Sequence, residues 1–439
     1  MKVLKFGSAT LGSAARFGEL ASIISGAGKN IVVLSAVSGT GDSLSEIAGY
    51  MYNRNLDGVR DTIAGLKKKY SVLIGDLYAK EESKKKAQDY ADAVFSSIRA
   101  CTREVFTEVQ ERIILAQGEL LSTFLMATLL EERGMRAQLI PALSFMRTDP
   151  NGEPDADAIR EGLSKLIAAA PEADVYLTEG FICVNSRSEI DNLKRGGSDL
   201  TACLVGAAVQ AEEIQLWTDI DGLHNNDPRV VEGTAAVRHL HFEEAAELSY
   251  FGARILHPTC ILPARYANIP VRLLNTAAPA APGTLIDNIP ENGAIKAVAA
   301  KDNITAIKIK SSRMLQAHGF LRKVFEIFES YRTSIDMICT SEVGVSLTVD
   351  DTRYLNEIVH DLKKYGTVSV DLDMCIICVV GDMDWNNRGF EARVLDALKD
   401  VPVRMVSYGG SNYNISLLVR EEDKAAALRA LSSKLFGNG

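Results

Sequence analysis

Short apolar runs rich in β-branched residues alternate with longer amphipathic segments over the first 286 residues of the chain. The predicted strands are KVLKF, NIVVLSAV, RAQLIPA, ADVYLTEGFI, EIQLWTDI and IPVRLLN. Helix-length segments separate them, including a long stretch from Glu81 to Glu132 that we expect to be broken near AQGEL. This alternation predicts a mostly parallel sheet with helices on both faces, because parallel strands need long crossover connections. In such sheets ligands bind where strands end, so the loops after these strands are where a site is expected.

Beyond a segment rich in Pro and Gly, NTAAPAAPGTLIDNIPENG, the pattern changes to two rounds of strand, helix, two strands and helix. The Gly-Phe pairs Gly319-Phe320 and Gly389-Phe390 each precede the first helix of a round. Two similar β-α-β-β-α-β units predict a tandem repeat of small ferredoxin-like modules. The predicted domains are therefore residues 1–287, 295–370 and 371–439, and the strand around 295–300 is also compatible with the last module.

Composition excludes several classes of protein. The chain has 439 residues, 47% hydrophobic and 24% charged, which is ordinary for a soluble globular protein. Its net charge of −9 argues against a protein that binds nucleic-acid backbones, which would present a basic face. We expect no apolar run of the ~18 residues that span a bilayer, and no signal peptide before the first glycines. The prediction is a cytoplasmic protein without membrane or nucleic-acid partners.

The cysteines and histidines indicate no metal site formed by protein side chains alone. The seven cysteines are scattered, and an odd number in a large chain is typical of reduced thiols. Cys375 and Cys378 have an odd separation in a predicted strand, so their side chains point to opposite faces. His239 and His241 could share a strand face, but no third ligand accompanies them.

One segment, LKRGGSDL at 193–200, combines a cation, two glycines, a hydroxyl and an acid directly before an apolar, helix-length run. Glycines let backbone amides approach an anion, and a helix N-terminus carries partial positive charge, so Arg195 to Asp199 form a candidate anion site. A plain turn with Ser or Asp as the helix N-cap explains the same residues. The segment alone leaves both interpretations open.

Other polar residues are dispersed around the predicted strand ends: Lys5, Ser35, Glu119, Thr218-Asp219 and Asp227-Pro228-Arg229. No P-loop and no nucleophile elbow is present, and without a complete glycine fingerprint a nicotinamide-binding fold is the weaker alternative. A cation, backbone amides and acids around one pocket suit phosphoryl transfer, which depends on positioning and charge neutralisation. Together these residues favour such a site over a collection of solvated turns.

The sequence resembles the aspartate kinases, which combine an amino-acid kinase fold with two C-terminal ACT regulatory modules. KFGSATL resembles the family's opening K-F-G-G-T-S-[VL], and RGGSDLTA is nearly identical to its R-G-G-S-D-x-T-A. LWTDIDGLHNNDPRVV and ELSYFGARILHP resemble two further motifs, and TSEVGVSLTVD resembles part of the first ACT module. Because these long motifs occur in the family's order, the resemblance covers essentially the whole chain.

The resemblance implies a three-layer αβα sandwich with a mostly parallel sheet, followed by two ferredoxin-like ACT modules. It implies transfer of a phosphoryl group from ATP, with Mg²⁺, to L-aspartate, giving 4-phospho-L-aspartate for lysine, threonine and methionine synthesis. Since the attacking carboxylate is already ionised at neutral pH, no catalytic base is needed. Lysine, less strongly threonine, is the implied effector, and the implied assembly is a homodimer or tetramer formed through the ACT modules.

The resemblance also assigns roles to residues. The implied catalytic residues are Lys5, Arg195 and Asp199. The implied aspartate-binding residues are Ser35, Thr40, Glu119, Arg195 and Ser198. The implied ATP-binding residues are Lys5, Gly7, Thr218, Asp219, His224, Arg229 and Arg254. The implied effector-binding residues are Met314, Gly319, Phe320, Leu321, Asp336, Ser341 and Glu342.

Several positions depart from the family's motifs: Ser8-Ala9, Thr40-Gly41, Lys194, His224 and Arg254. Because these departures cluster in the implied site, a weakened or inactive kinase that acts as an amino-acid sensor is the alternative function. Glutamate or carbamate kinases are disfavoured, since the chain carries two C-terminal modules.

Overall fold

The computed structural model describes residues 1–103, 105–193, 196–252, 257–311, 314 and 318–437. The chain divides into two compact units: Met1–Leu223 with Leu256–Asn288, and His224–Ile255 with Ile289–Gly439. The boundary at 288/289 lies inside the Pro- and Gly-rich segment, whereas no sequence pattern indicates that residues 224–255 belong to the second unit. The three predicted domains remain a prediction.

The described residues form helices and strands that are numbered here in chain order. The strands are β1 (Lys2–Phe6), β2 (Asn30–Leu34), β3 (Ala137–Leu139), β4 (Val175–Glu179), β5 (Ile182–Val184), β6 (Ile190–Asn192), β7 (Ile214–Thr218), β8 (His239–His241), β9 (Val271–Asn275), β10 (Thr284–Asp287), β11 (Ile295–Lys310), β12 (Ile338–Ser341), β13 (Gly344–Val349), β14 (Thr367–Gly381), β15 (Met405–Tyr408) and β16 (Asn414–Arg420). The α-helices are α1 (Ala14–Gly26), α2 (Thr40–Tyr52), α3 (Leu56–Leu77), α4 (Glu81–Ala100), α5 (Glu108–Glu132), α6 (Ala142–Phe145), α7 (Ala156–Ala169), α8 (Gly197–Val209), α9 (Phe242–Tyr250), α10 (Leu262–Tyr266), α11 (Phe320–Ser330), α12 (Leu355–Leu362), α13 (Phe390–Ala397) and α14 (Lys424–Phe436).

A mostly parallel sheet forms the centre of the first unit, as the sequence predicts. Within this unit its strands follow one another in the order β3-β4-β2-β1-β7-β9-β10, and of the strand pairs described there only β9–β10 is antiparallel. Both faces are buried: Val32 and Leu34 join the core that includes α1 to α5, while Ile31 and Val33 are buried on the other face. This arrangement is the expected three-layer αβα sandwich.

The long helical stretch from 81 to 132 is interrupted, but the expected break near AQGEL is wrong. α4 ends at Ala100 and α5 begins at Glu108, after a capping box formed by Thr107 and Gln110. Gly118 instead lies inside α5, where a Cβ would be 2.8 Å from the Ala36 Cβ. Glycine serves close packing here rather than helix termination.

α5 also corrects the expectation that no run is long and apolar enough to span a bilayer. Its most apolar 18-residue window has a mean hydropathy of 1.7, and it alone meets the criteria of length and composition among the described residues. However, 67% of that window is buried inside the protein. This burial is typical of a core helix.

A six-stranded antiparallel sheet in the order β12-β13-β11-β14-β16-β15 organises the second unit. β11 and β14 pair with each other along nearly their whole lengths and so join the two halves of this sheet. Residues 305–310 of β11 also pair with β13, and residues 374–380 of β14 also pair with β16. Gly319 and Gly389 are the N-cap residues of α11 and α13, with φ of +82° and +87°. The predicted repeat of Gly-Phe helix starts is confirmed, and glycine suits this left-handed backbone.

Candidate functional site

Lys5 lies near the end of β1, at the carboxyl edge of the parallel sheet. Its Nζ is 2.7 Å from Asp199 Oδ1, and the two side chains are only 11% and 16% exposed. Gly7 follows the strand, and its N–H donates to the Trp217 carbonyl of the adjacent β7. A side chain at residue 7 would begin 3.4 Å from the Lys5 ammonium, so glycine leaves the approach to this cation open.

The start of α8 brings Ser198 and Asp199 to this point. Gly196 precedes the helix with a φ of +69°, and among the described residues no side chain caps its N-terminus. Ser198 packs against the turn after β4, since a Cβ on Gly180 would be 2.5 Å from Ser198 Oγ. An uncapped helix start, with its partial positive charge, thus lies next to the Lys5–Asp199 pair. This is the arrangement an anion site requires.

Glu119 lies within α5, buried beside the loop that follows β2. Burial raises the pKa of Glu119 to about 7. A backbone hydrogen bond from Ala36 lowers this pKa in part, and the nearby Glu179 raises it by a smaller amount. Ser122, one turn later in α5, donates to the Ser35 carbonyl at 2.7 Å. The packing of α5 on this loop therefore brings Ser35 and Glu119, both implied by the resemblance, to one place.

Thr40 begins α2 and is fully buried. Its hydroxyl lies 3.1 Å from the Tyr70 hydroxyl and 3.3 Å from the Lys69 ammonium, so it already has partners within the unit. Lys69 also donates to the Ser38 carbonyl, and burial lowers the pKa of Lys69. This cation beside the loop is not indicated by the sequence, where three consecutive lysines look like a solvated helix face.

Glu179, the last residue of β4, is a buried carboxylate that the sequence does not single out. Its Oε2 accepts the Ala142 N–H at 2.7 Å, and burial raises the pKa of Glu179 to about 7. A charged residue inside the predicted strand ADVYLTEGFI is the one sequence signal that points to it. Glu119 and Glu179 are thus both partly protonated near neutral pH. They are close enough for the charge of Glu179 to raise the pKa of Glu119.

Of the implied ATP-binding residues, Thr218 and Asp219 lie at the end of β7, next to β1. Thr218 Oγ1 accepts the Ile220 N–H at 3.1 Å and shapes the turn there. Because β1 and β7 are parallel neighbours, Gly7 and Thr218 lie at the same edge of the sheet.

His224 and Arg229 belong to the second unit. His224 Nδ1 is 2.8 Å from Thr234 Oγ1, and Arg229 pairs with Asp227 at 2.8 Å. Lys194, Arg195 and Arg254 lie outside the described residues.

The implied effector residues lie in the second unit. Gly319, Phe320 and Leu321 form the start of α11, near Met314, which packs against the core of α11, α12 and β13. Ser341 and Glu342 lie where β12 turns into β13. Asp336 precedes β12, and its carboxylate is engaged by Lys301.

The chemistry of the first-unit site is that of anion binding and charge neutralisation. In the part of the chain that the structure describes, no group of three His, Cys, Asp or Glu side chains could hold a metal ion. Burial raises the pKa of Cys260 to about 12 and that of Cys203 well above its ordinary range, so neither thiol is a nucleophile at neutral pH. A buried ammonium, a helix start and two carboxyl groups can bind phosphate and an amino acid together.

Two family models match this chain. The Amino acid kinase family model matches residues 1–275, and an ACT domain model matches residues 377–435.

The relatives agree with these matches. Lysine-sensitive aspartokinase 3 of Escherichia coli K12 is 34% identical over 335 residues, which are 74% of this chain and 75% of that protein. Aspartokinase 3, chloroplastic, of Arabidopsis thaliana is 33% identical over 99% of this chain and 81% of that protein. The crystal structure of E. coli aspartokinase III in complex with aspartate and ADP superposes with a TM-score of 0.83 at 29% identity, covering 99% of this chain and 100% of that one.

Proposed function

This chain belongs to the aspartokinases, and from that premise we propose that it transfers the terminal phosphoryl group of ATP to the side-chain carboxylate of L-aspartate. The product is 4-phospho-L-aspartate, the first intermediate toward lysine, threonine and methionine. The observation that carries the proposal is the Lys5–Asp199 pair beside the uncapped start of α8. The reaction needs charge neutralisation at that point and no general base.

Lys5 is the proposed catalytic cation. Phosphoryl transfer spreads negative charge over the oxygens of the moving group, and a fixed ammonium stabilises that charge at the moment it develops. Asp199 holds the ammonium in place from one side. Gly7 leaves room on another side for phosphate. The first amides of α8 and Arg195 complete the proposed anion site.

The aspartate substrate is proposed to bind between α5 and α8. Arg195 and Ser198 would take its carboxylates, since a guanidinium fork matches a carboxylate in two places. Glu119 and Ser35 would take its ammonium group. Because burial raises the pKa of Glu119 to about 7, an incoming ammonium would favour the ionised form and expel a proton from the site.

ATP is proposed to bind at the ends of β1 and β7, through Gly7, Thr218 and Asp219. Mg²⁺ would enter as the magnesium complex of ATP and neutralise charge on the phosphate oxygens.

Lysine is the proposed effector of the ACT modules, acting at the start of α11 and at Asp336. The name of the E. coli relative, lysine-sensitive aspartokinase, supports this choice over threonine.

A cytoplasmic location and a homodimer or tetramer are also proposed for this chain. A sensor without kinase activity is not favoured, because the chain matches aspartokinases over nearly its whole length.

The decisive experiment measures acyl phosphate directly. Purified protein with MgATP and L-aspartate in hydroxylamine should form aspartyl hydroxamate, and reactions without ATP or with L-glutamate should not. The same assay with added lysine or threonine identifies the effector. Absence of aspartate-dependent hydroxamate under all these conditions would overturn the proposed kinase activity.

A further inference from the structure

Asp336 in the second unit lies in a charged cluster that the proposed reaction does not use. Asp336 Oδ1 is 2.7 Å from the Lys301 ammonium and accepts a hydrogen bond of 2.8 Å from the Tyr250 hydroxyl. Lys301 also reaches Asp350 Oδ2 at 2.9 Å, and its Nζ lies 4.5 Å from the centre of the Tyr250 ring. The cluster thus joins the end of α9, the middle of β11 and the open end of the β12–β13 hairpin, where Asp336 precedes β12 and Asp350 follows β13.

The protonation states in this cluster follow from its contacts. Burial disfavours the charged form of Lys301, but hydrogen bonds to Asp336 and Asp350 outweigh it and raise the pKa of Lys301. Burial and the hydrogen bond to Asp336 raise the pKa of Tyr250 to about 12, so the phenol keeps its proton and donates it. The cluster therefore holds the positively charged ammonium of Lys301 against the Asp336 carboxylate.

The second carboxylate oxygen of Asp336, Oδ2, lacks the hydrogen bonds that Oδ1 accepts from Lys301 and Tyr250. The side chain is 1% exposed, and Oδ2 is buried with no hydrogen-bond partner among the described residues. A buried carboxylate oxygen without a donor is costly, and a ligand that brings an N–H group to it would recover that cost.

We propose that Lys301 is a built-in competitor for the cationic side chain of an effector at Asp336, and that it sets how tightly the chain binds a diamino acid such as lysine. The inference rests on the proposed function in taking Asp336 as an effector carboxylate. Two ammonium groups on one buried carboxylate repel each other, because their charges are poorly screened there. Asp350 is 42% exposed and offers Lys301 a second position when an effector arrives.

The same competition gives the effector a route to α9. When Lys301 shifts toward Asp350, its ammonium loses contact with the carboxylate that also holds Tyr250. Tyr250 is the last residue of α9, and Gly252 just beyond it packs on the backbone of Ala300, the neighbour of Lys301 in β11. Binding of an effector at Asp336 therefore changes the contacts of Tyr250 at the end of α9.

Calorimetric titration of the full chain with L-lysine tests this proposal. Lys301→Met removes the internal ammonium and should lower the Kd for lysine about fivefold or more, because the effector then supplies the only cation on a buried carboxylate. Asp350→Asn removes the carboxylate toward which Lys301 would shift, and this variant should have a higher Kd for lysine than the wild type. Lys310→Met, on the exposed end of the same strand, is the matched control and should leave the Kd unchanged.

Each outcome decides the proposal. If Lys301→Met binds lysine and the wild type does not, the proposal is supported, just as it is by a fivefold lower Kd in the variant. Equal or weaker binding by Lys301→Met, or a lower Kd for Asp350→Asn, overturns it. If the methionine variant does not fold, Lys301→Gln, which keeps a donor for Asp336, takes its place. Hydroxamate formation without lysine is measured for every variant, so a loss of the proposed kinase activity is recognised separately.

Discussion

Lys5 and Asp199 neutralise each other in a site that must also take up phosphate. A largely buried ion pair contributes little net stability, because desolvation offsets the attraction between the charges. Its value lies in orientation: the carboxylate fixes an ammonium that would otherwise sample many rotamers. Such a fixed charge acts mainly on the transition state.

Replacement of Lys5 by methionine should therefore lower kcat by about 100-fold or more with a smaller change in KM. Methionine keeps most of the apolar stem, so the far-UV circular dichroism spectrum should not change. Lys68→Met, on the exposed face of α3, is the control and should retain wild-type turnover. Turnover near the wild-type value in Lys5→Met would remove this residue from the mechanism.

Glu179 should make stability depend on pH. The pKa of Glu179 is about 7 in the folded chain, against 4.5 for the unperturbed group, so the folded state holds more protons between these pH values. Stability should therefore fall as pH rises from about 4.5 to about 7 and stay low above that range. Glu119 shifts in the same direction and adds to the effect.

Glu179→Gln mimics the protonated form and keeps an oxygen for the Ala142 N–H. The difference in Tm between pH 5 and pH 8 should become smaller in this variant, while the exposed Glu82→Gln should leave it as in the wild type. An unchanged difference in Glu179→Gln would show that this carboxyl is ionised in the folded protein at both pH values.

The motif around Asp199 could be recognised from the sequence because glycines, a hydroxyl and an acid directly before an apolar run are unusual. Glu179 and Lys69 are harder to recognise, since one glutamate at the end of a strand and one lysine among three resemble solvated residues. Burial depends on which helices cover them, and that is a property of the folded unit.

At the scale of elements, α5 links the core to the site. Its middle turns carry Glu119 toward the loop after β2, and Gly118 allows the close approach to Ala36. Gly118→Ala should push Ala36 away from Glu119, cost about 1–3 kcal/mol through overpacking, and raise the KM for aspartate. Differential scanning calorimetry and the hydroxamate assay measure both effects.

Gly65→Ala provides the matched control, because Gly65 lies on the exposed face of α3 with open space around it. There the substitution should raise the Tm, since alanine is better than glycine in a helix interior by about 1 kcal/mol. If Gly118→Ala were as stable as the wild type, α5 and the loop would not be in tight contact.

The strands of the first unit could be predicted because each is a short apolar run buried on both faces, as KVLKF is in β1. The helix break could not be placed, because a glycine that permits close packing and a glycine that ends a helix look alike in sequence. β11 and β14 are 16 and 15 residues long and pair with each other through register irregularities rather than ending in turns. No local sequence pattern indicates that one strand continues from one half of the sheet into the other.

At the scale of the whole molecule, residues 224–255 contribute to the second unit although they lie between elements of the first. Their contacts explain why: Asn226 donates to the Leu428 carbonyl, and Asn414 donates to Glu247. These partners are 202 and 167 residues apart in sequence, a separation at which local sequence patterns give no signal. A segment of the predicted kinase domain therefore shares a core with the regulatory sheet.

The second unit also presents an apolar surface that favours self-association. α11 buries Val324, Ile327 and Phe328, yet Leu321 and Phe325, four residues apart on its other face, are 36% and 42% exposed. Large apolar side chains that share an exposed helix face are typical of an interface. We therefore expect a homodimer in which this face of α11 meets a second copy.

Phe325→Asp should convert that dimer to a monomer at micromolar concentration, because a carboxylate cannot be buried there without a partner. Light scattering after size exclusion measures the mass, and hydroxamate formation without lysine should persist if the first unit folds independently of the contact. Val72→Asp, at an exposed apolar position of α3 in the first unit, should leave the dimer intact. A wild-type monomer, or a Phe325→Asp dimer as stable as the wild type, would place the subunit contact elsewhere or exclude it.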